Sequence, residues 1–422
     1  MKIAVTGKIG SGKSTFARAL ARELAPRGYR LLDVDALSPM ARAHPLFKAR
    51  CMELFGSMDR ETISRACFSN PELRAALEQE SLPIWLELLH AEIATEKVVI
   101  DFPLLMESQV ARPGCDLCVG VDAGAETRAL RATIRLGWDR DRFDAVDALQ
   151  IGSRAKMSHC DFWFPNEGAA SGLEASAAKL AAEVAALDSI APLCLPVIGP
   201  LAFRRVARAH AHPSRHYHGA THLASILERM DPELATDPSM VMATCYHDFV
   251  YETGDGYAQS EARSVRELAN QAADLFPRWL ECPRASRGAA SVAPVALACA
   301  IVDATRGHKV SDPWILAEPS RLRRAQAFLD ADLGVLGAGS EAEFHAYDEN
   351  IGREFAQVPR PLYHRLRAQA MAGFSDRSTR PSLYLTERFA PFEAVARRRL
   401  AALVDKHLSL GQDPAPSSKD PS

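Results

Sequence analysis

The stretch TGKIGSGKST, residues 6–15, decides how the first half of the chain folds. It matches the pattern G-x-x-x-x-G-K-[ST] through Gly7, Gly12, Lys13 and Ser14. A strand-like run, KIAV, precedes it and an amphipathic run, STFARALARELA, continues from it, which is the setting that a phosphate-binding loop requires. The sequence therefore predicts a strand, a phosphate-binding loop and a helix at its beginning.

The loop indicates a nucleoside triphosphate as cofactor, together with Mg²⁺. By itself it does not separate a kinase from a GTPase or an ATPase motor, but the sequence has no guanine-specificity motif of the NKxD type, so ATP is the expected nucleotide. Backbone N–H groups of the loop would surround the phosphates, and the N-terminus of the following helix adds partial positive charge. Lys13 would reach the β- and γ-phosphates and the Ser14 hydroxyl would hold Mg²⁺. The predicted nucleotide-binding residues are Gly7, Lys8, Ile9, Gly10, Ser11, Gly12, Lys13, Ser14 and Thr15.

Strand-like runs alternate with helical patterns through residues 1–188. The apolar runs are KIAVT, RLLDVD, KVVIDFPLL and LCVGVD, each separated from the next by amphipathic stretches. This alternation predicts a parallel sheet with flanking helices, and with the loop it indicates an α/β P-loop NTPase fold.

The remainder of the chain has a different pattern. Residues 189–200, SIAPLCLPVIGP, contain three prolines and one glycine and are typical of a linker. Helical spacing dominates residues 201–408 and predicts an all-α domain. Residues 409–422, rich in Pro, Ser and Asp, are predicted to be a disordered tail.

Composition is ordinary for a soluble globular protein and favours a cytoplasmic location. The chain has 422 residues, 47% of them hydrophobic, and a formal net charge of −3. This charge argues neither for nor against a polyanionic partner and gives no hint of a membrane surface. We expect no nucleic acid as partner, and no membrane, because no apolar run reaches bilayer length. Nine scattered cysteines and the absence of a signal-peptide layout favour reduced thiols in a cytoplasm. Nothing in the sequence indicates an oligomeric state.

Two aspartates end the second predicted strand, in LLDVDA at residues 31–36. The carboxyl ends of parallel strands face the ligand cleft, so Asp33 or Asp35 could take a proton from an acceptor hydroxyl. Either aspartate could instead cap the following helix. Asp101, at the end of VVID, stands in the Walker B place.

Residues 2 to about 168 resemble the dephospho-CoA kinase family. The matches occur in order: GKIGSGKST, DVDA, FG at 55–56, DRETISRACFSNPE, VVIDFPLLMES, the arginines of RALRATIRLGW, and QIGSRAKMSHCDFWFPNEG. The resemblance implies ATP-dependent phosphorylation of the ribose 3′-hydroxyl of dephospho-CoA. It also implies Asp33 as the catalytic base and Arg135 as a lid arginine that stabilises the transferring phosphoryl group, with Arg131 one turn earlier as an assistant or a surface charge.

Two positions depart from that family. Pro39 stands where the family has an arginine, and Ser81-Leu82-Pro83 replaces its Leu-His-Pro. Both lie on the acceptor side, so a P-loop kinase for another small hydroxylated metabolite or a nucleoside is the alternative.

The second half concentrates histidines, five of them in HAHPSRHYHGATH at 210–222. His222, the adjacent pair His247-Asp248 and the aspartates of FLDADLGVL at 328–336 could form one divalent-metal site, since imidazoles and carboxylates suit such metals. Taken alone, the His-Asp pair could also belong to a helical core. Within its apolar stretch, however, Asp248 would be a costly unpaired charge, and a metal would offset that cost.

Residues 200–402 resemble the HD-domain phosphohydrolase superfamily, and more narrowly a family of predicted metal-dependent HD phosphohydrolases. The matching segments are RHYHGATH, HDFVYE, Glu261, Arg263-Ser264, Thr305-x-x-His308, FLDADLGVLG, YDENIGREF, VPRPLYHRLR and TERFAPFEAVARRRL. The resemblance implies hydrolysis of a phosphate ester or nucleotide with a divalent metal such as Mn²⁺, Fe²⁺, Co²⁺ or Mg²⁺. Its implied ligands are His222, His247, Asp248 and Asp332.

Several roles in this half stay open at the level of sequence. Asp330 competes with Asp332 as the last ligand, and His218 or His308 could contact a phosphate or, for His308, a second metal. Arg353 and Glu354 could form a structural ion pair. A regulatory, nucleotide-sensing protein with a non-catalytic HD domain is the alternative from another class.

Overall fold

A computed structural model describes residues 1–94, 97–102, 114–253, 259–275 and 289–411. The chain divides into two compact units, Met1–Ala185 and Ala186–Ser422, here called unit 1 and unit 2. Each is described by itself.

Unit 1 contains a five-stranded, wholly parallel sheet, which confirms the predicted α/β class. The strands are β1 (Lys2–Thr6), β2 (Arg30–Asp33), β3 (Val98–Asp101), β4 (Leu117–Asp122) and β5 (Phe162–Pro165), in the order β2-β3-β1-β4-β5. Strand β5, FWFP, was not among the predicted strands. It is only four residues long and alternates buried and exposed side chains, so it lacks the continuous apolar run that marks the central strands.

Eight α-helices lie wholly within the described part of unit 1 and accompany the sheet, besides the beginning of a long helix described below. They are α1 (Lys13–Leu24), α2 (Ser38–Ala43), α3 (Pro45–Phe55), α4 (Arg60–Ser69), α5 (Pro71–Ile93), α6 (Ala125–Leu136), α7 (Arg140–Ala148) and α8 (Ser153–Ser158). Helix α1 buries Phe16, Leu20 and Leu24, spaced four residues apart on one face. Helix α6 ends at Gly137, whose left-handed φ of 67° suits glycine.

The register of the sheet places the candidate groups at one edge. Asp101 of β3 lies beside Val5 of β1 and beside Asp33 of β2. Parallel strands end at the same edge, so the loop that follows β1 and both aspartates meet there.

Residues 189–200, the predicted linker, are helical apart from Gly199. They belong to α9 (Ala170–His210), within which the boundary between the units falls. Pro192 and Pro196 are spaced by four residues, so their rings share one face of the helix and each removes one N–H donor, whereas Pro200 begins the helical segment that follows Gly199. The helical path breaks only at Gly199, with φ 73° and ψ 167°.

Helix α9 is also the one described helix that is long and apolar enough to cross a membrane, over Ser171–His210. Core helices of soluble proteins meet the same criterion when they are mostly buried; in α9, 33% of the most apolar stretch is buried.

Unit 2 is helical, as predicted, and its described residues contain no strand. After α9 come α10 (Ala220–Arg229), α11 (Pro232–Ala235), α12 (Pro238–Tyr246), α13 (Ser260–Leu275), α14 (Ala289–Thr305), α15 (Pro313–Leu316), α16 (Pro319–Asp332), α17 (Glu341–Glu354), α18 (Arg360–Ser375) and α19 (Glu393–Leu410). Residues 409 and 410, predicted to begin a tail, belong to α19, and 412–422 lie outside the described residues.

The His-Asp pair lies at the end of a helix and not inside one. Helix α12 ends at Tyr246, and the His247 N–H closes its last turn on the carbonyl of Ala243 at 2.9 Å. Beyond it, the Arg215 guanidinium donates to the carbonyls of Asp248 at 2.6 Å and Phe249 at 2.8 Å. The Arg215 side chain therefore hydrogen-bonds the carbonyl groups that would have accepted from the N–H groups of another helical turn.

Candidate functional site

The phosphate-binding loop follows β1 and leads directly into α1. Gly10 and Gly12 have φ of 75° and 100°, a region that favours glycine. A Cβ on Gly7 would overlap the carbonyl oxygen of Val121, and one on Gly12 would overlap the Asn166 amide. The glycines thus let the loop bend tightly against its neighbours.

Three carboxylates and one lysine meet at the start of α1. Asp101 is 6% exposed, and the Ser14 hydroxyl lies close enough to influence its ionisation. Burial raises the pKa of Asp101, and Ser14 and Lys13 oppose that rise. Partial desolvation and the charge of Asp33 raise the pKa of Asp35. This edge of the sheet carries more negative charge than Lys13 neutralises, which suits an additional cation.

Asp33 performs the capping role that the sequence left open. Its Oδ1 accepts the Asp35 N–H at 3.0 Å and caps the short 3₁₀ helix Val34–Leu37. The side chain is exposed at the edge of the sheet. An aspartate can cap with one oxygen and accept a proton on the other, so the cap is compatible with the predicted base.

The outer side of the loop is held by residues from the C-terminal half of unit 1. The Asn166 amide donates to the Ser11 carbonyl at 2.7 Å, and the Ile9 N–H donates to Gln150 Oε1 at 2.9 Å. Lys8 pairs with Asp147, Nζ to Oδ2, at 2.9 Å. Sequence comparison with the family identified Gln150 and Asn166 as matches without assigning this role, and Asp147 gave no signal at all.

The two candidate arginines of α6 have different surroundings. Arg131 donates to the carbonyls of Asn166 at 2.9 Å and Gly10 at 3.4 Å. Arg135, the predicted lid arginine, is exposed in the last turn of the helix. The contacts of the described residues thus join Arg131, and not Arg135, to the loop.

The acceptor side is described only in part. Pro39 lies in the first turn of α2, where the missing N–H costs no helical hydrogen bond. Ser81 is buried in α5 and donates to the Glu78 carbonyl at 3.3 Å. Pro103, Leu104, Leu105 and Glu107, which match the family, lie outside the described residues.

In unit 2, His222, His247 and Asp332 converge so that one ligand atom from each lies within 4.8 Å of the others. The two Nε2 atoms are 3.2 Å apart, and His222 Nε2 lies 3.0 Å from Asp332 Oδ1. Both imidazoles are nearly fully buried. Asp248 joins them with Oδ2 at 2.9 Å from His247 Nε2 and 4.0 Å from His222 Nε2.

These distances fit a divalent metal. Two nitrogens about 2.1 Å from one ion would lie about 3.0 Å apart at a right angle and about 3.4 Å apart in a tetrahedron. The observed 3.2 Å between the imidazole nitrogens falls between these values. His222, His247 and Asp332 could therefore hold an ion, and Asp248 lies beside them.

Asp330 and Asp332 have separate partners, although only one residue lies between them. Asp330 Oδ2 accepts the Thr386 N–H at 2.8 Å and its hydroxyl at 2.6 Å, and Leu385 donates its N–H to the same carboxylate. Asp332 faces His222 through Oδ1 and His308 through Oδ2, the latter at 3.0 Å. Asp330 is thus a structural acceptor, and Asp332 faces the imidazole cluster.

Two further histidines border the cluster. His218 Nδ1 hydrogen-bonds to Glu354 Oε2 at 2.7 Å, and its Nε2 lies 4.0 Å from Asp248 Oδ2. Glu354 Oε1 also accepts the N–H groups of residues 216–218 at 2.7 to 3.0 Å. Glu354 therefore shapes the segment before α10 and does not pair with Arg353, which is exposed.

His308 lies in a strained backbone conformation, with φ 47°. The Arg380 guanidinium holds this turn by donating to the carbonyls of Gly307 at 2.6 Å and His308 at 3.3 Å. The strain places the imidazole against Asp332.

The imidazoles and carboxylates of the cluster shift one another's pKa values. Burial acts to lower the pKa of His247, but Asp248 raises it to about 9. Burial acts to raise the pKa of Asp332, but His222 and His308 hold it well below its usual range. His222, in contrast, has a lowered pKa because burial prevails.

Comparison with known proteins gives matches to unit 1. The family described as "Dephospho-CoA kinase" matches residues 1–171. A dephospho-CoA kinase from Burkholderia pseudomallei is 33% identical over 197 residues, covering 44% of this chain and 92% of that protein. One from Deinococcus radiodurans is 35% identical, covering 41% and 87%. A solved structure, "Crystal structure of TT1252 from Thermus thermophilus", has 32% identity and a TM-score of 0.36, covering 41% of this chain and 92% of its own.

Proposed function

We propose that unit 1 phosphorylates the ribose 3′-hydroxyl of dephospho-CoA with ATP, since this chain belongs to the dephospho-CoA kinase family through its N-terminal residues. The observation that carries the proposal is the meeting of Lys13 and Ser14 with Asp33 and Asp101 at one edge of the sheet. A phosphate-binding lysine beside carboxylates is the arrangement that phosphoryl transfer needs.

In the proposed reaction the 3′-oxygen forms a bond to the γ-phosphorus while the bond to the β–γ bridging oxygen breaks, and ADP leaves with that electron pair. Asp33 accepts the hydroxyl proton. Lys13 and the N-terminus of α1 stabilise the charge on the phosphates. Arg135 is assigned to the transferring phosphoryl group on the family resemblance alone.

The oxygen donors at the start of α1 fit Mg²⁺, which prefers carboxylate, hydroxyl and water ligands. Ser14 would hold the ion and Asp101 would support it, since Asp101 Oδ1 is buried and has no hydrogen-bond partner among the described residues. When bound, Mg²⁺ neutralises charge on the phosphates.

The test is an ATP-consumption assay with dephospho-CoA beside nucleosides and other small alcohols, with each product identified by mass. We expect dephospho-CoA to be the preferred acceptor and to gain one phosphate. Faster phosphorylation of another acceptor would replace dephospho-CoA and would make Pro39 and Ser81 the first positions to examine.

For unit 2 we propose metal-dependent hydrolysis of a phosphate ester, as a second function. It is supported by the convergence of His222, His247 and Asp332 with Asp248 beside them. A divalent metal in such a site lowers the pKa of a bound water and polarises a phosphate oxygen. His218 lies near Asp248 and His308 lies against Asp332, and both histidines are candidates to contact the substrate phosphate.

The metal site is tested by elemental analysis of the purified full chain after exposure to Mn²⁺, Fe²⁺, Co²⁺ or Mg²⁺. We expect about one ion per chain and its loss in Asp248→Ala. Equal metal content in both proteins would return the His-Asp pair to a structural role. Metal retained without turnover of a panel of phosphate esters and nucleotides would favour the nucleotide-sensing alternative.

A further inference from the structure

A small buried charge cluster lies against the outer side of the phosphate-binding loop. It consists of Lys8 in the loop, Arg128 in α6 and Asp147 in α7. Asp147 Oδ2 lies 2.9 Å from Lys8 Nζ, and both oxygens of Asp147 accept from the Arg128 guanidinium. The Lys8 and Arg128 side chains are 7% and 5% exposed, so solvent screens this cluster weakly.

Arg128 extends the cluster to the loop backbone. Its guanidinium donates to the carbonyls of Ile9 at 3.4 Å and Ala123 at 3.0 Å. The Ile9 N–H is taken by Gln150, and the Ile9 side chain packs near Phe143 of α7. The backbone of Arg128 also lies where a Cβ on Gly10 would have to be.

Lys8 is therefore committed to α7 although it belongs to the loop that surrounds phosphates. The Lys13 ammonium, by contrast, interacts with Asp101 and Asp35 at the edge of the sheet. Two lysines five residues apart thus have different tasks, one toward the phosphates and one away from them.

We propose that Asp147 is a positioning residue of the ATP site, which fixes the loop in its phosphate-binding shape through Lys8 and Arg128. We call these three residues the loop clasp. A loop that is already shaped loses less conformational freedom when the phosphates bind, so the clasp strengthens binding without touching the nucleotide. The inference rests on the proposed kinase function only in that unit 1 binds ATP.

The clasp predicts a separation of kinetic constants. Loss of Asp147 leaves two buried cations without their carboxylate and loosens residues 8–10. The KM for ATP should then rise while kcat at saturating ATP and the KM for the acceptor change little, because Lys13, Asp33 and the acceptor side are untouched.

The experiment measures the affinity of the full chain for Mg·ATP by calorimetry. Asp147→Asn should bind about tenfold more weakly, since hydrogen bonds to charged groups contribute energies of that size. Asp144→Asn is the matched control, because Asp144 is on the same helix but pairs with the exposed Arg140. The control should bind Mg·ATP like the parent.

Lys8→Met is a second variant, in case Asp147→Asn fails to fold. It should fold, since Arg128 still neutralises Asp147. We expect it to bind Mg·ATP about threefold more weakly and the double variant to bind no more weakly than Asp147→Asn, because both changes open the same clasp. Unchanged or tighter binding by Asp147→Asn would overturn the proposal, and so would fewer binding sites at unchanged affinity. Failure of the parent to phosphorylate dephospho-CoA, with the tenfold loss still present, would refute the proposed acceptor and leave the clasp intact.

Discussion

The two candidate sites are built in opposite ways. In unit 1 the phosphate-binding groups are consecutive in the chain, and the sheet register brings Asp33 and Asp101 to the same edge. In unit 2 the site is assembled from three helix ends, with His222, His247 and Asp332 spread over 110 residues. A local motif can therefore identify the first site, whereas the second depends on how distant helices pack.

Their electrostatics differ as well. In unit 1 burial raises the pKa of Asp101, and an excess of carboxylates around Lys13 favours an additional cation. In unit 2 burial acts to raise the pKa values of Asp248 and Asp332, but neighbouring imidazoles hold both below their usual range, so each carboxylate already lies against an imidazole. The proposed Mg²⁺ of the first site is therefore argued from charge, whereas the proposed metal of the second site is argued from the distances between its ligand atoms.

The largest effect should come from Lys13→Ala. Loss of the lysine removes the only loop side chain assigned to the phosphates, so phosphoryl transfer to dephospho-CoA should fall at least about a thousandfold. The measurement is steady-state turnover with product mass. Metal content of unit 2 should be unchanged, and persisting kinase activity would refute the loop assignment.

The next effect separates Asp332 from Asp330. Asp332→Asn removes a predicted ligand, so metal affinity should fall at least about a hundredfold. Asp330→Asn should keep the metal and lower the free energy of unfolding by about 1–3 kcal/mol, because the Leu385 and Thr386 N–H groups lose their acceptor. Elemental analysis and urea unfolding distinguish the two. Equal metal loss in both variants would contradict the separate roles.

A smaller effect concerns Glu354, which holds the segment before α10. Glu354→Gln should lower the free energy of unfolding of unit 2 by about 2–3 kcal/mol, measured by urea unfolding at about pH 7. Although burial acts to raise it, His218 lowers the pKa of Glu354 from 4.5 to about 2. A carboxylate whose pKa is lower in the folded state stabilises the fold at pH values above its unfolded pKa. The difference in the free energy of unfolding between Glu354→Gln and the parent should therefore shrink as pH falls from 4.5 toward 2. A difference that grows in acid would contradict this role.

The fold of unit 1 was predictable because its signals are local. Continuous apolar runs mark β1, β3 and β4, and the glycines of the loop fix its bend. Strand β5 was missed because only alternate residues are buried. The helical path of residues 189–200 was missed because prolines ordinarily end helices, whereas here the path breaks only at Gly199 and Pro200 begins the next segment, where a proline is tolerated.

At the candidate sites, too, prediction from the sequence reached only as far as local signals allow. The histidines and aspartates of unit 2 were identified by residue type and order, but their mutual distances follow from packing that no local pattern encodes. Asp330 and Asp332 could not be told apart in sequence, because the choice depends on residues 385 and 386, more than fifty positions away. Asp147 gave no signal for the same reason, since its partner Lys8 lies at the other end of unit 1.

The smallest effect we predict distinguishes the role of Arg135 from that of Arg131. Arg135→Ala should lower kcat about tenfold with the KM for ATP within about twofold, if this exposed arginine closes on the transferring phosphoryl group as the family resemblance implies. Arg131→Ala should instead raise the KM for ATP, because Arg131 donates to the Gly10 and Asn166 carbonyls beside the loop. Initial rates over a range of ATP concentrations separate the two. Loss of kcat in Arg131→Ala alone would move the catalytic role one turn along α6, to the arginine that already contacts the loop.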